Sequence, residues 1–329
     1  MQFVDVIFNI LIMGLPCCLL ALGIFLTYRL LDFADLTTEG SFMLGAAICG
    51  VMIYNGINPW LATLAAIAVG FLCGIITGCL NRLLKVPKLL SGIITMTAST
   101  AIAYIIFGMQ NGYPRSFGQS VSFSVTYGGT QQTIFSLLYP WKFSNDLNIY
   151  IVPGVWADVI RILMMLGVVA IVMIGIYFFF GTQYGMAIRA TGMNESMARA
   201  QGINTNVSSI ICVGIANALI SLAGALFVQS MQNASVTSAQ GFLVVGLASI
   251  IIGESIFGKR SFKNWIISVA LGAVMYYIII NIAIRLGLPG ELMSLLYAAL
   301  IVVALCIPLI KGFVKKKIKE RNNRLEEDN

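Results

Sequence analysis

The chain has no histidine, only 10% charged residues, and no cysteine pair at CxxC spacing. Without histidine it lacks the usual proton shuttle near neutral pH and the commonest metal ligand. Its seven cysteines, Cys17, Cys18, Cys49, Cys73, Cys79, Cys212 and Cys306, lie inside apolar runs. There they read as small packing residues, not as metal ligands or disulfides. A complete phosphate loop is missing too. Gly253 to Lys259 spells GESIFGK, but Arg260 stands where such a loop needs Ser or Thr for magnesium, and the segment ends an apolar run instead of following a strand. Neither a metal site, a nucleotide site nor a catalytic residue is expected.

What the chain does have is apolar length. Of its 329 residues 59% are hydrophobic, and the mean hydropathy is +0.91. A soluble domain carries about a quarter charged residues, so this composition describes an all-α polytopic membrane protein in contact with lipid. The net charge of +7 does not imply nucleic acid, because seven of the twenty Lys and Arg lie beyond residue 310 and most others sit at the ends of apolar runs. That distribution is a topology signal.

Taken in order, Val6 to Tyr28 is a first span with no basic segment before it and no cleavage site after it. Ser41 to Tyr54 is short and headed by Asp32, Asp35 and Glu39, which predicts a broken or shortened helix. Trp60 to Leu84 and Leu89 to Gly108 follow as full spans. Residues 109–158 read as an ordered outer cap with an alternating stretch, VSFSVTY, at Val121 to Tyr127. The span 159–180, a polar loop 181–206, and a span from Val207 to Val228 come next. Then a second short polar-headed run, a span from Asn264 to Arg285, a span from Leu292 to Ile310, and a charged tail, 311–329, complete about nine crossings. With the N-terminus outside and the C-terminus cytoplasmic, sixteen of the twenty basic residues fall inside.

The polar loop is the segment built to be touched. Asn194 is positioned to cap a short helix over Glu195 to Ala200, closed by Gly202, with the acid in its first turn and Arg199 toward its end. The blander reading is a solvated connector that happens to be helical. A weak internal repeat runs at an offset of roughly two hundred residues, with Gly23, Thr37, Gly40 and Gly45 matching Gly224, Thr237, Gly241 and Gly246. One odd span separates the copies, so halves 6–108 and 207–310 would have inverted topology, a transporter arrangement with its path at the repeat interface.

Three stretches carry a resemblance: GLPCCLLALGIFLTYRLLDFADLTTEGSFMLGA, GMAIRATGMNESMARAQGIN and GFLVVGLASIIIGESIFG. They resemble the permease subunits of branched-chain amino acid and ribose type ABC importers, and together with their surroundings they cover most of the chain. The resemblance implies a layout like that of the vitamin B12 importer's membrane subunit, with inverted halves around a central path in a homodimer or heterodimer at the plasma membrane. It implies a coupling helix between Arg189 and Gly202, docking into a cleft of a separate ATPase subunit that holds the ATP and magnesium. The outer cap, residues 109–158, is too long and aromatic for a plain connector, and is expected to dock an extracytoplasmic substrate-binding protein; the alternative is that it merely seals the outer mouth. Many amino acid permeases carry Asn-Phe-Ala-His-Gly where this chain has Asp32, Phe33, Ala34 and Asp35 followed by Thr37, Thr38 and Glu39. The DLTTEGSF variant resembles a branch among which aromatic amino acid importers are suspected.

The expected contacts to the ATPase are Arg189, Gly192, Asn194, Glu195, Ala198, Arg199 and Gly202, with the small face of Ala198 and Gly202 seated against the partner and both arginines bonded to it. Glu254 is expected to pair locally. Candidate path residues are Thr37, Thr38, Glu39, Thr95, Thr97, Asn217, Asn233, Thr237 and Gln240, although a single Ser or Thr in a membrane helix more often bonds back to its own backbone. Asp35 and Glu39 either reach the cytoplasmic surface or face the path. Import of a small solute, an amino acid, is the expected function; an ion-coupled secondary carrier is the alternative that broken helices also fit.

Overall fold

A computed structural model describes residues 2–109, 119–122, 133–137, 154–285, 299 and 302. The helices are α1 (Gln2–Phe25), α2 (Thr37–Tyr54), α3 (Pro59–Arg82), α4 (Lys88–Gly108), α5 (Ile134–Leu137), α6 (Gly154–Gly181), α7 (Gln183–Met193), α8 (Glu195–Ala200), α9 (Thr205–Met231), α10 (Phe242–Phe257) and α11 (Phe262–Arg285). Seven helical stretches among the described residues are long and apolar enough to cross a membrane. Helix α2 is an eighth, shorter and nearly all buried, with Glu39 in its first turn. The expected last span, apart from Ala299 and Val302, and the tail 311–329 lie outside the described residues, as does Cys306.

Helix α1 does not stop at Phe25. It loosens into a π-turn over Leu26–Leu30, and the backbone N–H of Phe33 reaches back to the Thr27 carbonyl at 2.9 Å. The freed backbone is thus satisfied inside protein, as apolar surroundings require. Asn58 caps α3 through Trp60 N–H at 2.9 Å, with Pro59 at the first helical position.

Helix α9 is the shared support. It packs on α1, α2 and α3, while α10 and α11 pack on α1 and on each other. The contacts swap in pairs: α2 meets α9 and α3 as α10 meets α1 and α11. Small residues bring these helices to backbone distance, the membrane solution where lipid offers no hydrophobic drive for helix pairing. A Cβ on Gly45 of α2 or Gly70 of α3 would run into Ser221, and one on Gly74 of α3 would meet the Val213 carbonyl oxygen. Ser221 fills the space between them and donates to the Ala66 carbonyl at 2.6 Å. Phe42 of α2 stacks edge-on with Phe242 of α10 at 4.5 Å and lies 5.7 Å from Phe227 of α9, closing the interior side.

Two short strands mark one end of the bundle. β1 (Ser120–Ser122) pairs antiparallel with β2 (Asn233–Ser235), aligning Val121 with Ala234, and Val121 is buried on Gly50 of α2. The alternating stretch therefore does supply a strand at its beginning; residues 123–127 lie outside the described residues, as does most of the expected outer cap. Gln229 ties the cap to α9, accepting the Ile134 N–H at 3.0 Å and donating to Thr63 at 2.8 Å.

Filling the α3–α9 contact is expected to be costly. Gly74→Leu should lower the thermal midpoint of the detergent-solubilised protein sharply, by about 1–3 kcal/mol or more of overpacking, whereas Gly175→Leu on α6, where nothing lies within 4 Å, should leave it unchanged. Equal midpoints for the two variants would contradict this packing account.

Candidate functional site

The polar loop holds two helices, not one. Thr182 ends α6 and caps α7 by accepting the Gly185 N–H at 3.3 Å. Asn194, in an extended conformation, then breaks α7 and caps α8, accepting the Met197 N–H at 3.0 Å. The expected short helix is present with its expected bounds. Gly202, at φ +83°, closes it, and the Ile203 N–H returns to the Ala198 carbonyl.

One carboxylate fastens this unit to the bundle. Glu195 Oε1 accepts from Arg82 of α3 at 2.6 Å, from Arg199 at 2.6 Å, and from Thr205 Oγ1 at the start of α9 at 3.3 Å. Arg199 Nε donates in turn to Thr205 at 2.8 Å. Burial raises the Glu195 carboxyl, but the charges and hydrogen bonds of Arg82 and Arg199 outweigh it and hold the group below the usual carboxylate range. The sign follows: the hub is fully present above the usual carboxylate range and is lost as pH falls through the lowered value. Glu195 is 37% exposed, so each pair is worth no more than about 1 kcal/mol after screening.

The residues expected at this face divide between the inner and the outer side of the unit. Ala198 is only 2% exposed, so its small side chain is enclosed within the chain's own packing. Arg199 takes part in the Glu195 hub and Arg189 lies over the Phe262 ring at 4.7 Å, and both stay exposed on the surface of the unit. Gly192 seats α7 on the end of α1, where a Cβ would strike the Leu30 carbonyl. What the unit turns outward is Met193, Met197, Tyr184 and Met186, at 88%, 58%, 77% and 53% exposure. Sequence reasoning passed over these residues; methionines interleaved with charges in a water-facing loop were the available signal.

Nearby, Arg29 pairs with Glu254 at 2.6 Å, and Trp265 Nε1 donates to the same carboxylate at 2.8 Å. Glu254 is thus paired across 225 positions and not locally as expected. Lys88 Nζ donates to the Asp32 carbonyl at 2.8 Å. These contacts, with Lys259 Nζ over the Trp265 ring at 6.0 Å, gather Arg29, Arg82, Lys88, Arg189 and Lys259 at the end of the bundle opposite the two strands.

Within the bundle the candidate path residues divide. Thr37, Thr38, Thr95 and Asn217 are buried and committed to packing. Thr37 bonds Thr77 at 2.9 Å, Thr38 bonds the Asp35 carbonyl, and Thr95 bonds back to Ser91. Asn217 donates to Asp35 Oδ2 at 2.7 Å and to the Val213 carbonyl, and accepts from Ser41 at 2.7 Å. Asp35 also accepts the Thr37 N–H at 2.8 Å. It is 4% exposed, so it neither reaches a surface nor faces a path: it pins the start of α2 to α9. Glu39, Thr97 and Gln240 instead line an open pocket of about 390 Å³ with Met43, Met96 and Tyr104. Asn233 and Thr237 are exposed on β2 and the 3₁₀ turn that follows it.

The model of the family described as branched-chain amino acid transport system / permease component matches residues 6–305. Across 319 residues the chain is 31% identical to the tyrosine transport system permease protein of Clostridioides difficile (strain R20291), covering 97% of this chain and 95% of that one. It is 26% identical over 307 residues to a probable branched-chain amino acid transport permease protein of Methanocaldococcus jannaschii, covering 92% and 90%. With the ribose import permease protein of Escherichia coli (strain K12) it shares 24% over 301 residues, covering 92% and 84%. Helices that cross a membrane, a buried polar node and a match along nearly the whole length lead to one assignment: the chain belongs to the branched-chain amino acid and ribose family of ABC importer permeases.

Proposed function

We propose that this chain carries an amino acid, with an aromatic one the first to try, inward across the plasma membrane when a separate ATPase subunit pushes on α7 and α8. The observation that carries this reading is the Glu195 hub. It joins a short capped helix to α3 and α9 while leaving Met193 and Met197 exposed in a segment too polar to sit in hydrocarbon. A partner's cleft would bury those methionines, and displacement of α8 would pass to α9 through Thr205. ATP and magnesium would reside on that partner.

The aromatic choice is supported by the name of the relative at 31% identity. In the orientation proposed here the N-terminus is outside and the basic end of the bundle is cytoplasmic, in keeping with the positive-inside rule. The swapped contacts of α1 to α3 with α9 to α11 support inverted halves, 6–108 and 207–310, in a layout of nine helices like that of the vitamin B12 importer's membrane subunit. Two such permeases, identical or not, would enclose the path. A binding protein would deliver substrate to the strand-bearing face. An ion-coupled carrier is not favoured, since it gives the membership in an ATP-driven family no role.

Two results are expected. In proteoliposomes, uptake of L-tyrosine should require the separate ATPase subunit and ATP; uptake by this chain alone on a sodium or proton gradient would contradict the proposal. Met197→Asp, with the membrane bundle still folded, should reduce ATP-driven uptake by about tenfold or more, as loss of a buried apolar anchor worth about 1.4 kcal/mol would. Unchanged uptake would place the docking face elsewhere.

A further inference from the structure

The pocket between α2, α4 and the turn before α10 contains a carboxylate with no basic side chain paired to it among the described residues. Glu39 Oε1 accepts the Gly241 N–H at 2.9 Å, while Oε2 has no partner among the described residues. Helix geometry sets its depth. About 22 Å of α2 separates Glu39 from Tyr54, and about 20 Å of α10 separates Gly241 from Glu254 at the basic end, so the carboxylate sits near the middle of the bundle. Among the described residues no Lys or Arg lines the pocket. A carboxylate at such depth is expensive and is kept where it meets a charge or a water-filled route.

The other walls narrow the choice of ligand. Thr97 and Thr100 spend their protons on their own helix, donating to the Ile93, Ile94 and Met96 carbonyls, so their oxygens can only accept. Gln240 is exposed at the opening, and its side chain makes no hydrogen bond among the described residues. Met43, Met96 and Tyr104 supply a soft apolar wall, of the kind that takes a flat ring. At about 390 Å³ the pocket falls in the range of about 300–1,000 Å³ usual for small-molecule sites.

We infer that this pocket is an amino acid subsite in which Glu39 receives the substrate ammonium, Gln240 its carboxylate, and Met43, Met96 and Tyr104 its side chain. The inference rests on the permease reading above and deepens it. An ammonium supplies what the pocket lacks, three donors and a positive charge, and charge-assisted bonds of that kind are about twice as strong as neutral ones. A neutral sugar would leave the carboxylate uncompensated.

The test uses the full chain in nanodiscs without partners, so that selectivity of a binding protein does not enter. Saturation-transfer NMR is recorded with L-tyrosine, with tyramine, which keeps the ammonium, and with 3-(4-hydroxyphenyl)propionate, which lacks it. Signals are expected from the first two and at least tenfold weaker signals from the third. Glu39→Gln should abolish the difference while the thermal midpoint shows the bundle intact. Equal signals from the propionate, no signal from any of the three, or a folded Glu39→Gln protein that still discriminates, would each overturn the inference. The comparison among ligands on the unaltered chain stands even if the variant fails to fold. Failure of the permease reading would show separately, as absent ATP-driven uptake.

Discussion

Helix α9 passes α2 and α3 with almost no side chain between the backbones, and the remaining packing is arranged around that contact. Ser221 sits between them, facing Gly45 and Gly70 and bonding to Ala66. In lipid there is little to gain from burying one apolar face on another, so close van der Waals contact and a few internal hydrogen bonds must supply the association. Polar links then occur at three heights along the same helix. Thr205 joins the Glu195 hub, Asn217 joins Asp35 and Ser41, and Gln229 joins Thr63 and Ile134. A force on one end of α9 therefore meets a helix tied to its neighbours along its whole length.

This arrangement gives the unusual start of α2 a purpose. The π-turn at the end of α1 and the six residues after it carry the chain back into the bundle, where Asp35 accepts the Thr37 N–H and the Asn217 amide. Removing Asn217 would leave the buried Asp35 carboxyl group short of a donor, a cost of about 1–3 kcal/mol for an unsatisfied buried polar group. Glu39 follows within one turn, so the node that fixes α2 to α9 also fixes the wall of the open pocket. Movement of α9 under the proposed push would reach Glu39 through two hydrogen bonds.

Much of this was legible in the residues. The Asn194 cap, the acid in the first turn and Gly202 after the last turn are local signals, and α8 has the bounds they imply. Short polar-headed α2 followed from an apolar run too brief to cross alone. The direction of Ala198 was not legible, because a small residue on a short helix fits a partner's cleft and the chain's own interior equally well, and only tertiary packing decides. For the same reason local pairing of Glu254 gave way to Arg29, 225 positions away. Asp35 was ambiguous because its donors, Thr37 N–H and Asn217, come from the first turn of α2 and from a helix 182 positions away. Spans and caps are written locally; the faces that meet are not.

The central claim is that Glu195 makes the outward-facing helix α8 one body with α3 and α9. Hydrogen exchange of the purified chain and of its Glu195→Gln variant tests it most directly. The account predicts that amides 197–203 are protected in the unaltered protein and exchange several-fold faster in the variant, while those in the middle of α9 keep their protection. Unchanged exchange over 197–203 would contradict it, because α8 would then be held by something other than the hub.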